Sequence, residues 1–391
     1  MGAVEAVISD ALGGLSTKQS DDGHWCYELE ADATIPAEYI LLNHYLDEID
    51  DAREQKIAVY LREIQEDHGG WPLFHRGDLD LSASVKAYYA LKMVGDDVNA
   101  PHMKRAREAI LAAGGAAKTN VFTRFALALF EQMPWRAVPV MRVELMFAPR
   151  WFPINIWKMS YWSRTVSVPL LVLAALKPKA RNPRNIHVQE LFTTPRSEKD
   201  YALKNPTGHW LGTLLLVLDK VGRLVEPLFP KVTERKAIEK AIRFVTERLN
   251  GEDGVGGIFP AMVNTLMAFD ALGYAKDHPD RAIARKSIDG LIVDKGDSAY
   301  CQPCLSPVWD TCLAMHSVLE AGAAGDDPVL TKASDWLLER EITDFKGDWT
   351  EMRPDAPPGG WAFQYVNDYY PDVDDTAVVD MALDRADPVK Y

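Results

Sequence analysis

A heptapeptide recurs near the start of this 391-residue chain. Gln19-Ser-Asp-Asp-Gly23-His-Trp25 and Gln65-Glu-Asp-His-Gly69-Gly-Trp71 share the spacing Gln-x3-Gly-x-Trp. Each precedes an amphipathic stretch at helical spacing, Ala37 to Leu42 and Val85 to Leu91, and Lys56 to Leu61 carries a further helical pattern before the second turn. Degenerate copies follow. Ile242 to Leu249 leads through Asn250-Gly-Glu-Asp-Gly254 to Val263–Leu272, and Ala333 to Glu341 leads through Gly347-Asp-Trp349 and Gly359-Gly-Trp361 to Thr376–Leu383. A helix–turn–helix unit cannot bury its apolar face alone, so such copies stack around a shared core. In the turn, Gly supplies positive φ and Gln reaches backbone groups left free at helix ends. Trp covers the hairpin. Gln19, Trp25, Gln65 and Trp71 are therefore read as braces of the fold. Strand signals are sparse, which leaves an all-α solenoid or closed α/α barrel.

Composition narrows the function. With 43 Lys+Arg against 57 Asp+Glu the net charge is −14, which argues against a nucleic-acid partner. The hydrophobic share, 47%, supports a sizeable core, and the length suggests two to three domains. Only four cysteines occur, too few for a disulfide scaffold, so a reducing compartment is expected. Cys301-Gln-Pro-Cys304 lacks a second pair, so zinc or redox chemistry is not read from it. No signal peptide or membrane span is recognised. From His209 to Phe229, Trp210, Leu211, Leu214, Leu215, Leu218, Val221, Leu224, Val225 and Leu228 recur at helical spacing beside Lys220 and Arg223. That pattern suits either a core helix or a helix lying in a membrane interface. Between Met133 and Lys231 the repeat gives way to Pro- and aromatic-rich chain, and long excursions of this kind are usually functional. Arg124 and Arg164, set among aromatic or hydroxyl neighbours, are read as structural ion-pairing residues.

The strongest chemical signal is Tyr369-Tyr-Pro-Asp372-Val-Asp374-Asp375-Thr376, with three carboxylates in four residues at a helix start. One Asp there is an ordinary cap. Three crowd together, and one is then held protonated as a general acid, or the group holds Mg²⁺. The local residues leave acid, metal and cap open. Trp309, Trp361, Phe363, Tyr369 and Tyr370 lie close by in a repeat fold, and aromatic faces stabilise cations, so carbocation chemistry suits the neighbourhood better than phosphate chemistry.

These residues match a family. Asp372-Val-Asp-Asp-Thr-Ala377, Gly359-Gly-Trp-Ala-Phe-Gln364, Gln302-Pro-Cys-Leu-Ser-Pro-Val-Trp-Asp-Thr311, Gly256-Gly-Ile-Phe-Pro260 and the Gln/Trp turns together resemble the N-terminal part of a squalene–hopene cyclase, a class II terpene cyclase. The resemblance implies two α/α barrels, one inserted into the other. Residues 1–28 and 305–391 would belong to the catalytic barrel and 29–304 to the inserted one. It implies Asp374 as proton donor to squalene, supported by Asp372 and Asp375. Trp309, Phe363, Trp162, Ile258, Pro260 and Tyr370 would line the substrate cavity. Trp210, Leu214, Leu218, Val221 and Leu228 would face a membrane. It further implies an isomerase forming hopene or hopanol, with no cofactor and no metal. The protein would be monotopic on the cytoplasmic face of a bacterial cytoplasmic membrane, and a homodimer is compatible. A class II cyclase of a diterpenyl diphosphate and an inactive isoprenoid- or membrane-binding fragment are the alternatives. The zinc prenyltransferases, also α/α barrels, need an Asp/Cys/His set that cannot be assembled here.

The sequence departs from the family pattern at Val255, where a Trp is expected after Gly254, and at Phe259, where some relatives have a polar residue. It also ends 391 − 375 = 16 residues after Asp375. On that ground the second barrel is expected to be incomplete, with core surface exposed.

Overall fold

The computed structural model describes residues 2–193, 201, 208, 210–225 and 230–390. Among them are fourteen α-helices: α1 (Ala3–Ser16), α2 (Thr34–Leu46), α3 (Asp51–Glu63), α4 (Leu81–Val94), α5 (Pro101–Ala112), α6 (Val121–Leu129), α7 (Tyr161–Leu176), α8 (Trp210–Val225), α9 (Lys231–Thr246), α10 (Phe259–Ala271), α11 (Pro279–Asp289), α12 (Pro307–Glu320), α13 (Pro328–Leu338) and α14 (Val373–Ala386). Caps set many of the starts: the side chains of Asp50, Asp80, Asn120, Ser160 and Asp372 accept backbone N–H groups at the heads of α3, α4, α6, α7 and α14. A short antiparallel hairpin, β1 (Ile292–Asp294) and β2 (Ala299–Cys301), pairs Val293 with Tyr300. The turn residues Lys295-Gly-Asp-Ser298 are its sequence signal.

The helices enclose two apolar cores. The larger draws on α2 to α7 and α9 to α11, with Tyr39, Leu42, Tyr88, Tyr89 and Phe269 fully buried. The smaller gathers Trp25, Cys312, Met315, Trp336, Trp361, Val379 and Leu383, with Leu12 and Leu15 of α1 packed against it. The expectation of an unfinished second barrel is corrected here. After Leu305 the chain and its N-terminal segment close on this core of their own, in which Trp336, Trp361 and Leu383 are at most 4% exposed. Among the described residues the fold is all-α apart from the hairpin.

The turns explain how the units stack. Gln65 Nε2 donates to Gly69 O at 2.7 Å and to His102 O at 3.0 Å, tying the turn to α5. Trp71 Nε1 donates to Leu61 O at 2.8 Å, satisfying the end of α3, and Trp71 N donates to Ser84 Oγ of α4 at 2.9 Å. The first turn repeats this: Gln19 Nε2 to Gly23 O (2.7 Å) and Val329 O (2.9 Å), Trp25 Nε1 to Leu15 O (2.9 Å), and Trp25 N to Thr311 Oγ1 (3.0 Å). In the third, Trp361 Nε1 donates to Leu337 O at 2.7 Å and Trp361 N to Thr376 Oγ1 at 3.0 Å. Glycine is needed for room as well as for conformation. At Gly69, φ is +88° and a Cβ would lie 2.8 Å from Arg105 O. The helix that completes the first unit is α12, not α2, although α2 follows the turn in sequence.

Candidate active site

The acid motif opens α14. Asp372 is the N-cap, its Oδ1 accepting Asp374 N at 2.9 Å, and its own N–H donates to Trp361 O at 2.7 Å. The helix start then directs the three carboxylates differently. Asp374 is exposed, Asp372 is half-buried, and Asp375 is 2% exposed. Asp375 Oδ1 has no hydrogen-bond partner. Burial, followed by the charges of Asp372 and Asp374, pushes the Asp375 carboxyl up to about 7. One carboxyl of the cluster thus keeps its proton well above the usual carboxylate range.

A cavity of about 380 Å³ faces this cluster, lined by Trp162, Ile258, Trp309 and Phe363 together with Asp372, Asp374 and Asp375. Its wall comes from both bodies: Trp162 from α7 and Ile258 at the head of α10, Trp309 from α12 and Phe363 from the loop before α14. Tyr370 stands behind that wall. It stacks on Tyr161 at 4.5 Å and 6° and meets Trp162 edge-on at 5.6 Å and 75°. Pro260 lies elsewhere. Two residues past Ile258 the chain has turned into α10, and Pro260 lines a second cavity of about 370 Å³ within the larger core, where Lys86 Nζ pairs with Glu38 Oε1 at 2.7 Å. Among the described residues no group of three or more His, Cys, Asp or Glu is arranged to hold a metal ion. The four cysteines are free thiols.

Of the residues expected to face a membrane, Trp210 is 68% and Leu214 43% exposed on α8, and Val217 continues their stripe. Leu218 and Val221 lie in the same helix, but their side chains, and Leu228 altogether, fall outside the described residues. No helix among the described residues is long and apolar enough to cross a membrane.

The sequence reading assigned no role to Arg248, Asp348, Gln364 or Asn367, which are buried beside the site. Asp348 was read only as part of a Gly-Asp-Trp turn. Charged or amide side chains inside aromatic-rich segments were the available signal, since burial there demands partners.

The sequence model of the Squalene-hopene cyclase N-terminal domain matches residues 8–297, and that of the Squalene-hopene cyclase C-terminal domain matches 305–390. The chain belongs to the squalene-hopene cyclase family. Both family domains are represented, and residues 305–390 carry the C-terminal one. The chain is 58% identical to the squalene–hopene cyclase of Zymomonas mobilis over 390 residues, covering 98% of this chain and 59% of that protein. It is 54% identical to the squalene–hopene cyclase of Bradyrhizobium diazoefficiens, covering 98% and 58%. It is 36% identical to that of Alicyclobacillus acidocaldarius, covering 97% and 60%. The chain therefore spans about 60% of the length of these curated relatives.

Proposed function

We propose that this family member initiates carbocationic cyclisation of squalene by protonation. The observation that carries the reading is the single cavity in which three carboxylates face Trp162, Ile258, Trp309 and Phe363. Asp374 is the donor, because it lies at the cavity and has a carboxyl reservoir beside it. Its O–H bond breaks as the terminal alkene's π pair takes the proton, leaving a tertiary cation and the Asp374 carboxylate. Asp375, held protonated by burial, recharges the cluster, and Asp372 orients it as the cap. The aromatic faces hold the polyene folded and stabilise successive cations, each contact contributing up to roughly 2 kcal/mol when desolvated. Loss of a proton ends the sequence as hopene, and capture of water ends it as hopanol. These steps call on no electron carrier.

Tyr370 sets the position of the Trp162 ring, and Pro260 shapes the neighbouring cavity across the head of α10. Residues 1–28 and 305–391 form one catalytic unit around 29–304, a reading supported by the hydrogen bond from Trp25 to Thr311. The exposed stripe of α8, Trp210, Leu214 and Val217, gives peripheral membrane attachment through which a water-insoluble substrate enters, and Leu218, Val221 and Leu228 extend the apolar pattern in the sequence.

The test is incubation of the chain with squalene in detergent, followed by mass spectrometry of the lipid extract. Cyclised product is expected from the wild type, with a loss of at least about 10³-fold in Asp374→Asn. Equal product from both proteins would exclude Asp374 as the donor. Product from a diterpenyl diphosphate with Mg²⁺, and none from squalene, would move the substrate class.

A further inference from the structure

Outside the carboxylate cluster, one group of buried charges lies beside the cavity. Arg164 in α7, Arg248 just beyond α9 and Asp348 between α13 and α14 are each about 5% exposed. Arg164 donates to Asp348 Oδ2 from Nε at 3.1 Å and from a terminal nitrogen at 2.8 Å. Arg248 donates to Asp348 Oδ1 in the same two-pronged way, at 3.2 and 2.6 Å. Each carboxylate oxygen serves one guanidinium, and the triad's surplus positive charge is met from outside by the exposed Glu247 carboxylate, 3.4 Å from an Arg248 terminal nitrogen. Rings cover that charge. Trp157 and Tyr161 lie 5.0 and 5.8 Å from the Arg164 guanidinium, and Phe244 and Tyr369 lie 3.8 and 4.3 Å from that of Arg248.

The triad joins the two bodies close to the cavity on both sides. Arg164 is two residues from Trp162 on the same helix. Asp348 N donates to Tyr369 O at 3.0 Å, and Tyr369 is three residues from the cap Asp372. A second row of buried polar contacts runs alongside: Tyr161 Oη donates to Asn367 Oδ1 at 2.7 Å, Asn250 Nδ2 donates to the same oxygen at 3.2 Å, and Gln364 Nε2 donates to Gly256 O at 3.3 Å. An interface of methyl groups tolerates sliding. A carboxylate gripped by two guanidiniums does not, because a shift leaves desolvated charge unpaired.

We infer that Arg164, Asp348 and Arg248 form a latch that fixes the acid motif in register with the Trp162 wall, and so decides how far cyclisation runs before the cation is lost. The inference rests on the cyclase reading above. None of the three lines the cavity, so they are positioning residues. An acid displaced relative to the wall still protonates an alkene, but the cation then forms away from the aromatic faces and loses its proton early.

The experiment uses the full chain with squalene and compares Asp348→Asn and Arg248→Gln with the wild type. Turnover, KM and product composition are measured, and near-ultraviolet circular dichroism gives the folded fraction. Asp348→Asn leaves two buried guanidiniums on a neutral amide and is expected to lower kcat about a hundredfold. KM should stay within about threefold, since ground-state binding is untouched. Partly cyclised products should become the main ones. Arg248→Gln keeps a neutral Arg164–Asp348 pair and should fold even if Asp348→Asn does not. Its products should shift the same way, with kcat down about tenfold. An unchanged product pattern in Arg248→Gln, with activity falling only as the folded fraction falls, would overturn the latch. A wild type as inactive as Asp374→Asn would instead overturn the cyclase reading, and the inference with it.

Discussion

The turn that opens α4 and the turn that opens α14 have the same frame with different residues in it. In one, Asp80 caps the helix, donates its N–H to Trp71 O, and Ser84 Oγ takes the Trp71 N–H. In the other, Asp372 caps, donates to Trp361 O, and Thr376 Oγ1 takes the Trp361 N–H. Between cap and hydroxyl the first carries Leu81-Ser82-Ala83 and the second Val373-Asp374-Asp375. Ser82 and Ala83 face the cavity inside the larger core, and Asp374 and Asp375 face the cavity between the bodies. Trp309 and Asp310 occupy the corresponding places before Thr311 in α12, and Trp309 lines the second of these cavities. The repeat therefore supplies an aimed pair of positions at the head of a helix, and chemistry arises from what is placed there. A position that buries alanine at 1% exposure in α4 buries a carboxyl at 2% in α14. Burial, with the charges of Asp372 and Asp374 beside it, is why that carboxyl retains its proton, and the frame offers its Oδ1 no partner.

Grafting one turn's residues onto the other tests this directly. Asp374→Ser with Asp375→Ala, the α4 pair placed in α14, should leave the fold intact and reduce product formation by more than about 10³-fold. Persistence of product would show that the acid lies elsewhere. The opposite perturbation, Trp71→Ala, should leave the α14 chemistry untouched per folded molecule while costing about 3–5 kcal/mol of stability, read by denaturant unfolding.

The Asp375 carboxyl titrates at about 7 in the folded chain, against 3.8 as its ordinary value. The folded state thus binds a proton that the unfolded state has released. Its contribution favours folding below about pH 4 and is lost progressively as pH rises to about 7, a change of about 4 kcal/mol at roughly 1.4 kcal/mol per pH unit. Asp375→Ala should cancel that decline, so the variant gains on the wild type between about pH 4 and pH 7. Parallel stability curves would contradict the burial argument. The smallest effect is expected from Gln65→Ala, about 1–2 kcal/mol, because the backbone acceptors it leaves behind partly reach solvent.

What the sequence made legible was local. The Gln/Trp turns and the three carboxylates announce themselves within seven and four residues, because capping and backbone pairing act over those distances. The helical class followed from that repeat. The partners across the chain did not. Arg164 was readable as an ion-pairing residue, yet Asp348, 184 residues on, could not be named as its partner. Likewise α2 seemed to complete the first unit, because Thr311 stands 286 residues from Trp25. The resemblance puts Pro260 and Ile258 on one cavity, whereas the helix beginning at Phe259 carries them into different cavities. That Asp375 rather than Asp374 is the buried carboxyl depends on helix rotation, which composition does not encode.

The closing of the first turn by α12 also orders events on the ribosome. Trp25 emerges early, but its Thr311 acceptor follows 286 residues later. At about 5–20 residues per second the N-terminal segment waits roughly 15 to 60 s for its partner, while the whole of the larger core is being made in between. The larger body has time to fold before the smaller one can begin, and the smaller one closes on a surface already in place.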